Sequence, residues 1–491
     1  MMPDAPPWRL GDLLAGFAST RPPQNPEIHG LALDSRELQP GGLFLAVPGQ
    51  TGDGRGFISQ AVANGAAAVA YDASDDFTPP PVAVPLVAIR NLKHTVGHIA
   101  DRFHGSPSRH LLVIGVTGTN GKTTCSHLLA QVLDRPEGRC GVIGTVGIGF
   151  PDALASSTHS TPDALRVHAL LAEFARQGAT SVCMEVSSHA LDQGRVQGVV
   201  FTVALFTNLT RDHLDYHGSM QAYGEAKARL FSWPGLKAAV INRDDAFGRG
   251  LIERARTHCA VTSYGLTQGD VHALEVNPSL QGLRVRIATA HGEAELSSGL
   301  LGRFNAANLL AVLACLLACG QSLAPIAARL ARARAPSGRM ERFGHDRQPT
   351  VVVDYAHSPD ALEKVLQALR EHVQGRLWCV FGCGGDRDRG KRPQMGRIAE
   401  ALADEVILTD DNPRSENPDA IINDIVASMS KRPPVLHDRG AAIHAAIQQA
   451  RAGDIVLIAG KGHEEYQQIG AQRLAYSDRR VVRELTGEAA A

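Results

Sequence analysis

A strand, a glycine-rich loop and a helix follow one another directly within residues 111–133, and no other stretch constrains the fold as strongly. Residues 111–116 form an apolar run, residues 117–124 read TGTNGKTT, and the next residues have the apolar spacing of a helix. Such a loop points backbone N–H groups and a helix N-terminus at one spot, where they can surround phosphate oxygens. Lys122 is then placed to reach the β- and γ-phosphates, and the Thr123 hydroxyl to hold a Mg²⁺ ion.

The spacing of this loop departs from the strict Walker pattern, which places a glycine where Val116 stands. The alternative interpretation is an ordinary strand-to-helix turn that contains a lysine by chance. The flanking strand and helix are, however, the context that a phosphate loop requires. We therefore expect ATP or GTP as the ligand.

The length and charge of the chain limit the kinds of protein it can be. At 491 residues the chain is too long for one core, and typical domain sizes predict about three domains. The formal net charge is −1, with acids and bases mixed along the sequence. This balance provides neither a basic footprint for nucleic acid nor a polybasic membrane anchor. We expect small-molecule partners and a monomer.

Cysteine usage and apolar runs indicate a reduced compartment. The 8 cysteines include no CxxC pair, and core thiols are expected rather than metal sites. Residues 1–14 lack the basic end and apolar core of a signal peptide, and the longest apolar run, 309–319, is too short to span a bilayer. We expect a cytoplasmic protein without a membrane anchor.

Alternating strand and helix patterns predict an α/β fold with three domains. Residues 1–109 have the pattern of a small α/β domain. Residues 110–336 predict a central P-loop-type domain with a mostly parallel sheet, and residues 337–491 predict a C-terminal Rossmann-like parallel sheet. Linker candidates lie at 102–108 and 331–338, where glycine, serine, proline or arginine is frequent.

Several polar side chains of the predicted middle domain are candidates for chemistry. Glu185 ends an otherwise apolar strand, so its expected partner is a bound cation or an arginine such as Arg195. The segment after the next strand carries His213 and His217, which suit Zn²⁺ if they share a helical face, or a surface cap. A phosphate site instead prefers Mg²⁺ with oxygen ligands. Lys227 by itself has the pattern of an exposed helical lysine.

Further polar groups are expected near ligands in the second half of the chain. Asn305 and Asn308 lie one helical turn apart and could present amides to an adenine edge or cap a helix. Four buried strands of the last domain each end in a polar segment. Because the carboxyl ends of parallel strands meet at one sheet edge, these segments predict a binding crevice. They begin at Tyr355, Gly382, Asp410 and Gly460.

These motifs together resemble one family, the Mur ligases, which are ATP-dependent amide-bond-forming enzymes of peptidoglycan precursor synthesis in the bacterial cell wall. The loop at 117–124, with its departure from the Walker spacing, is similar to the nucleotide loop of that family. Similar blocks stand at 184–189, 207–217, 354–357 and 460–464. The resemblance extends over all three predicted domains. Within the family it is closest to members that add the third residue to UDP-N-acetylmuramoyl-L-alanyl-D-glutamate.

The resemblance implies a reaction in which ATP phosphorylates the γ-carboxylate of D-glutamate and the amine of an acceptor amino acid displaces the phosphate. Such chemistry requires charge neutralisation and in-line positioning more than acid–base catalysis. The implied catalytic residues are Lys122, Glu185, His213 and Lys227. Two Mg²⁺ ions are implied, with ligands from Thr123, Glu185, His213 and Lys227. The lysine would act as a carbamate formed with CO₂, which resembles a carboxylate.

The resemblance also implies three sets of ligand contacts. ATP is expected at Gly118, Thr119, Asn120, Gly121, Lys122, Thr123, Thr124, Asn305, Arg339 and His357. The UDP-muramoyl dipeptide is expected at Leu33, Ser35, Gln50, Thr51, Gly52, Ser160, Thr161, Ser187, Gln193 and Arg195. The acceptor meso-diaminopimelate is expected at Arg387, Asp411, Asn412, Pro413, Arg414, Gly460 and Glu464.

The nature of the acceptor is indicated by Asp411-Asn412-Pro413-Arg414, which is similar to the block of the diaminopimelate-adding members; lysine-adding members carry a different tetrad. Arg414 offers a planar fork for the distal carboxylate that diaminopimelate has and lysine lacks. The alternatives are a lysine-adding or D-Ala-D-Ala-adding Mur ligase, a folylpolyglutamate synthase, or a P-loop switch or motor. The polar crevice favours an acceptor substrate over a motor.

Overall fold

The computed structural model describes residues 8–18, 24–49, 52–157, 159–344 and 348–488. The chain forms two compact units. One comprises residues 1–122 and 129–262, and the other comprises residues 123–128 and 263–491. The domain boundaries expected near residues 109 and 336 remain predictions.

The first unit begins with a small parallel sheet in the order β3-β4-β5-β6. All four residues of β4 are buried, which matches the continuous apolar run at these positions. Leu92, Val96 and Ile99 of the flanking helix α3 pack into the same core. The elements are β1 (Trp8–Arg9), α1 (Leu10–Leu13), β2 (Glu27–Ile28), β3 (Leu31–Ala32), β4 (Leu43–Ala46), α2 (Ile58–Ala63), β5 (Ala68–Asp72), β6 (Leu86–Ile89) and α3 (Leu92–Phe103).

A larger sheet follows in this unit, in the order β10-β9-β8-β11-β7-β12-β13-β14. Strands β8, β11, β7, β12 and β13 run parallel to one another, whereas β9 pairs antiparallel with β8 and with the edge strand β10. The elements are β7 (Leu112–Thr117), α4 (Lys122–Leu133), β8 (Arg139–Ile143), β9 (Ile148–Phe150), β10 (Ala153–Ala155), α5 (Ala164–Arg176), β11 (Ala179–Glu185), α6 (Ser188–Asp192), β12 (Val203–Phe206), α7 (Leu214–His217), α8 (Met220–Ala228), β13 (Ala238–Asn242), α9 (Ala246–Ala255) and β14 (Ala260–Gly265).

The position of β7 explains why its loop can be a site. Strand β7 lies between β11 and β12, and its apolar residues are buried because it is covered on both faces. The predicted strand, loop and helix are confirmed, since β7 ends at Thr117 and α4 begins at Lys122. In the register of the sheet, Glu185 pairs with Val116. The carboxylate therefore stands at the strand ends from which the loop departs.

The second unit begins with an antiparallel ribbon and two helices. Strand β16 pairs with β15 on one side and with β17 on the other. Helix α10 begins at Arg303, before the apolar run predicted at 309–319, so that Asn305 and Asn308 lie inside it. The elements are β15 (Val271–Ser279), β16 (Gly282–Thr289), β17 (Gly292–Ser298), α10 (Arg303–Ala318) and α11 (Leu323–Leu330).

The rest of this unit is a sheet in the order β18-β19-β22-β20-β21 and a separate hairpin, β23-β24. Strands β19, β22, β20 and β21 are parallel, so their carboxyl ends share one edge, as predicted. The elements are β18 (Glu341–Phe343), β19 (Thr350–Asp354), α12 (Pro359–Arg370), β20 (Leu377–Phe381), α13 (Lys391–Leu402), β21 (Glu405–Leu408), α14 (Pro418–Val426), α15 (Arg439–Gln449), β22 (Ile455–Ala459), β23 (Tyr466–Ile469), β24 (Gln472–Ala475) and α16 (Asp478–Thr486).

These sheets confirm the α/β class and the mostly parallel central sheet. The cysteines are buried or half-buried thiols, as expected for core residues. Within the described ranges, every helix is too short or too polar to cross a membrane.

Candidate active site

The loop after β7 is held by the residues that follow β12. The Thr119 N–H donates to the Asn208 carbonyl (2.8 Å), and the Asn120 N–H donates to Asn208 Oδ1 (3.0 Å). The Thr207 hydroxyl donates to the Asn120 carbonyl (2.6 Å). Gly118 has a φ of +147°, and a Cβ built there would lie 1.9 Å from Thr207 Oγ1. Only glycine fits this conformation and this approach.

Two lysine side chains meet at one carbonyl of the loop. Lys122 Nζ donates to the carbonyls of Gly118 (2.9 Å) and Thr119 (2.8 Å). Lys227 Nζ, from helix α8, donates to the same Gly118 carbonyl (2.8 Å). The loop thus concentrates two amines next to the N-terminus of α4, a position suited to a polyphosphate.

Lys227 is buried, and the interpretation of it as an exposed helical lysine was therefore wrong. Only 1% of its surface is exposed. Its Nζ lies 4.4 Å from the centre of the Tyr223 ring, one turn earlier on the same helix. Burial lowers the pKa of Lys227 well below the usual lysine value, and the charge of Lys122 lowers it further. A buried lysine of this kind favours its neutral amine.

Glu185 is also buried, and its carboxylate accepts hydrogen bonds from the backbone N–H (2.8 Å) and the hydroxyl (3.1 Å) of Thr145. The alternative that Glu185 pairs with Arg195 is not what the structure shows. Arg195 Nε instead donates to Gln193 Oε1 (2.8 Å), and its Nη1 donates to the Thr161 carbonyl (3.0 Å). The carboxylate is thus oriented by these two donors.

His213 lies at the N-terminus of the short helix α7 with a φ of +52°. Its Nε2 stands 3.4 Å from Asp212 Oδ2, and about half of each side chain is exposed. His217 is bonded to the Ser188 hydroxyl instead (3.0 Å). In the part of the chain that the structure describes, no three His, Cys, Asp or Glu side chains form a group that could hold a metal ion. A Zn²⁺ site made by these two imidazoles is therefore unsupported.

The residues expected to hold the muramoyl dipeptide form a connected set around Thr161. The Thr161 hydroxyl donates to the Glu185 carbonyl (2.9 Å), and the Ser187 N–H donates to Thr161 Oγ1 (3.2 Å). Ser160 adjoins Thr161 in the chain, and Gln193 is joined to this set through Arg195. A cavity of about 670 Å³ lies beside it, with Arg195 in its wall.

The described residues among those expected at the uridine lie in the segments that follow β3 and β4 of the small sheet. Ser35 is buried, and its hydroxyl donates to Gln60 Oε1 (3.1 Å). Leu33 is half-buried, and the Gly52 carbonyl accepts from the Gly49 N–H (2.9 Å). Gln50 and Thr51 lie outside the described residues.

The residues expected near the adenine lie in two places within the second unit. Arg339 stacks on the ring of Tyr355 (4.7 Å), and His357 Nδ1 is 2.8 Å from the Tyr355 carbonyl. Asn305 and Asn308 are buried instead, and Asn308 Nδ2 donates to Asn305 Oδ1 (2.9 Å). Asn305 Nδ2 donates to the Leu301 carbonyl, so both amides take part in holding helix α10.

The acceptor candidates gather at the carboxyl edge of the second unit's parallel sheet. Asn412 Nδ2 donates to Glu464 Oε2 (3.0 Å). Gly460 has a φ of +120°, and a Cβ there would lie 2.5 Å from Asp411 Oδ2. Burial raises the pKa of Glu464 above its usual value. The segment thus presents a compact group of carboxylate and amide side chains.

Two arginines border this group. Arg414 has a φ of +53°, and its Nη1 donates to the Gly385 carbonyl (2.7 Å). The buried Pro413 packs against Gly385, where an added Cβ would lie 1.9 Å from the Pro413 carbonyl oxygen. Arg387 is exposed and donates to the Asp386 carbonyl. A Cβ built at Gly384 would lie 2.9 Å from Arg414 Nη1 and 3.8 Å from Arg387 Cγ. The absence of a side chain at Gly384 therefore leaves room for the Arg414 guanidinium, with the Arg387 side chain nearby.

Several residues of the site were not predicted from the sequence. Thr145 orients Glu185, Tyr223 covers Lys227, and Lys461 lies buried among the acceptor residues. The sequence did contain a signal for Lys461, which stands between two glycines directly after an apolar strand. A lysine at such a position is more typical of a site than of the exposed surface. The contacts of Thr145 and Tyr223 come from tertiary packing, which carries no local pattern.

Comparison with known proteins agrees with this geometry. Sequence profiles match at residues 27–104 (Mur ligase family, catalytic domain), 116–316 (Mur ligase middle domain) and 338–462 (Mur ligase, glutamate ligase domain). The chain is 55% identical over 464 residues to UDP-N-acetylmuramoyl-L-alanyl-D-glutamate–2,6-diaminopimelate ligase of Chromobacterium violaceum, which covers 93% of this chain and 94% of the relative. The enzyme of the same name from Ectopseudomonas mendocina is 54% identical over 455 residues, 92% of this chain and 93% of the relative.

A solved structure of a protein with that same name has a TM-score of 0.76 and 39% identity, and the match covers 98% of this chain and 99% of that one. Identity at this level and over nearly the full length of both chains reflects common descent rather than a shared fold alone. The chain belongs to the Mur ligase family.

Proposed function

We propose that this protein is an ATP-dependent ligase that joins an amino group of meso-2,6-diaminopimelate to the D-glutamate γ-carboxylate of UDP-N-acetylmuramoyl-L-alanyl-D-glutamate. ADP and phosphate are the other products, and the reaction belongs to peptidoglycan precursor synthesis. The two relatives that are 55% and 54% identical to this chain are named UDP-N-acetylmuramoyl-L-alanyl-D-glutamate–2,6-diaminopimelate ligase.

The observation that carries the proposal is the acceptor group at the edge of the second unit's sheet. Asp411 and Glu464 offer acceptors for an ammonium, and Asn412 donates to Glu464, whereas Arg414 and Arg387 offer guanidinium groups for carboxylates. Diaminopimelate carries two amino and two carboxyl groups, so both kinds of partner have a use. Lysine has no second carboxylate, and the second guanidinium would have no equivalent partner.

The loop after β7 supports the use of ATP. Its backbone N–H groups and the N-terminus of α4 suit phosphate oxygens. Lys122 moves its ammonium from the loop carbonyls to the γ-phosphate when nucleotide is present, since a phosphate oxygen is the better acceptor for a cation. The γ-carboxylate attacks that phosphate to give an acyl phosphate, and the acceptor amine then displaces phosphate. Lys122 stabilises the charge that develops in these steps.

The proposed Mg²⁺ sites fit this chain only with a modified Lys227. Among the described residues no three His, Cys, Asp or Glu side chains form a metal group, so Thr123, Glu185 and His213 would need a further oxygen ligand, the kind that Mg²⁺ prefers. The neutral amine that burial favours at Lys227 is the form that adds CO₂ to give a carbamate. The carbamate adds two oxygens beside Gly118, two residues beyond the Val116 that pairs with Glu185. Bound Mg²⁺ would neutralise phosphate charge.

Phosphate release tests the function directly. The purified protein is incubated with ATP, Mg²⁺, the UDP-muramoyl dipeptide, and either meso-diaminopimelate or L-lysine. We expect release with diaminopimelate and little with lysine, and Lys122→Met serves as the inactive control. Equal rates with lysine would contradict the acceptor assignment. No release with any acceptor would contradict the ligase assignment itself.

A further inference from the structure

Lys461 is a buried cation to which the proposed mechanism gives no role. It follows β22 and has no exposed surface. Burying an ammonium is costly unless its protons find partners. Lys461 Nζ donates to Asn412 Oδ1 (2.8 Å) and to the Tyr466 carbonyl (2.9 Å). Its contacts therefore join the Asp411–Arg414 segment to the first strand of the β23-β24 hairpin.

These contacts fix the orientation of the Asn412 amide. An ammonium can only donate hydrogen bonds, so the Asn412 atom that faces Lys461 must be the oxygen. The Gln468 N–H donates to the same oxygen (2.9 Å), and this contact supports the same assignment. The amide NH₂ must then point the other way, where it donates to Glu464 Oε2 (3.0 Å).

Lys461 also places an ammonium close to the carboxylates of Asp411 and Glu464. Its Nζ stands 3.7 Å from Asp411 Oδ1 and 3.7 Å from Glu464 Oε2, close enough for attraction but too far for a direct hydrogen bond. Two neighbouring carboxylates repel each other, and a cation that lies close to both offsets this repulsion. With Lys461 present, both Asp411 and Glu464 can accept hydrogen bonds from an incoming ammonium group.

We propose that Lys461 is a positioning residue for the acceptor amino acid: it holds Asn412 in one amide orientation and keeps Asp411 and Glu464 as paired acceptors. Lys461 acts through these three side chains and does not contact the acceptor itself. This role rests on the proposed function, because it assumes that the group binds diaminopimelate.

The test compares the KM for meso-diaminopimelate with the KM values for the other two substrates and with kcat. Lys461→Met removes the charge and the donors but keeps a chain of similar length. We expect the KM for meso-diaminopimelate to rise at least about tenfold, as expected when a charged hydrogen-bond partner is lost. The KM values for ATP and for the UDP-muramoyl dipeptide, and kcat at saturating acceptor, should stay within about threefold of wild type, since a positioning role touches only one ligand.

A matched control separates positioning from loss of stability. Asp454 is buried at the opposite end of the same strand and accepts from the Arg376 and Arg451 N–H groups (2.8 and 2.9 Å). Asp454→Ala should lower the melting temperature but leave the KM for diaminopimelate unchanged. A similar rise of this KM in Asp454→Ala would show that Lys461→Met acts through general destabilisation, and would overturn the proposal.

A double variant tests whether Lys461 acts through Asn412. If it does, Lys461→Met/Asn412→Ala should raise the KM for diaminopimelate no further than the worse single variant. Multiplicative effects would overturn the proposal. If Lys461→Met does not fold, Lys461→Gln, which is uncharged and polar, carries the same expectation for the KM.

The positioning role of Lys461 and the proposed ligase function can be contradicted separately. An active wild type whose KM is unchanged in the Lys461 variants overturns the positioning role alone. A wild type that releases no phosphate with diaminopimelate overturns the proposed function, and the positioning role falls with it.

Discussion

Lys122 and Lys227 donate hydrogen bonds to the same carbonyl oxygen, that of Gly118, at 2.9 and 2.8 Å. Two ammonium groups so close together repel, and burial together with the charge of Lys122 lowers the pKa of Lys227. Lys122 is half-buried, whereas Lys227 is buried. One lysine is thus suited to bind phosphate and the other to be modified.

Lys227→Ala should lose most of the phosphate-release activity, because it removes the amine that we propose becomes a carbamate. A small carboxylate such as acetate or formate, added to the variant, should restore part of the activity by entering the space that the side chain leaves. Lys237, which is exposed, supplies the matched control, and Lys237→Ala should remain fully active. Wild-type activity in Lys227→Ala would refute the carbamate role.

Gly118→Ala should raise the KM for ATP at least about tenfold. The new Cβ would lie 1.9 Å from Thr207 Oγ1 at a φ of +147°, and backbone strain of this kind costs about 1–3 kcal/mol before the clash is counted. Gly250→Ala, within helix α9, meets no atom within 4 Å and should leave both stability and activity near wild type. Steady-state kinetics with varied ATP measure the difference. A wild-type KM in Gly118→Ala would mean that the loop does not hold nucleotide.

Arg414→Met should raise the KM for meso-diaminopimelate by about 10- to 100-fold, the cost of losing a charged, forked donor. The rate with L-lysine should change little, because lysine lacks the carboxylate that Arg414 is proposed to bind. Arg389, an exposed arginine that pairs with Asp424 (3.0 Å), provides the control. Arg389→Met should keep the wild-type preference for diaminopimelate over lysine. Equal losses with both acceptors would show that Arg414 has a structural role instead.

Arg439→Met should destabilise the protein by about 3–5 kcal/mol, because it leaves a carboxylate buried without its partner. Arg439 Nε and Nη2 donate to Asp478 Oδ1 (2.7 Å) and Oδ2 (2.9 Å), and neither side chain has exposed surface. Urea unfolding at neutral pH measures the loss. The double variant Arg439→Met/Asp478→Leu should recover most of it, since no unpaired charge remains.

A surface pair gives the comparison for this last measurement. Arg370 and Asp404 are 2.8 Å apart, but both are about 40% exposed, and such pairs contribute less than about 1 kcal/mol. Arg370→Met should therefore change the unfolding free energy only slightly. A loss in Arg439→Met no larger than the loss in Arg370→Met would contradict the assigned burial cost.

Apolar runs followed by polar segments predicted the sheets well. A strand that is buried on both faces must be apolar throughout, and the loop after it must carry the polar groups. The strands before Gly382 and Gly460 follow this rule, whereas the edge strand before Asp410 begins with the half-buried Glu405 and Val406. The same argument placed Glu185 at a strand end, where the structure has it.

Burial of single polar residues was harder to predict, because it depends on which helices pack together. Lys227 lies on a helix of weak amphipathic character, and the burial comes from the Tyr223 ring and the loop after β7. Asn305 is expected to contact the nucleotide, and this stays a prediction; its burial was not foreseen, because the helix starts earlier than its apolar run suggests. Long-range contacts of this kind leave no periodic signal in the sequence.

The β23-β24 hairpin bears on how selectivity in such a protein can change. It contacts the acceptor segment mainly through its backbone: the Gln468 N–H to Asn412, the Tyr466 carbonyl to Lys461, and the Arg414 N–H to the Gln468 carbonyl (3.1 Å). Side chains of the hairpin can therefore vary without breaking these bonds, whereas a change in its length would shift all of them together. We therefore expect insertions or deletions in this hairpin to alter acceptor selectivity more than point substitutions do.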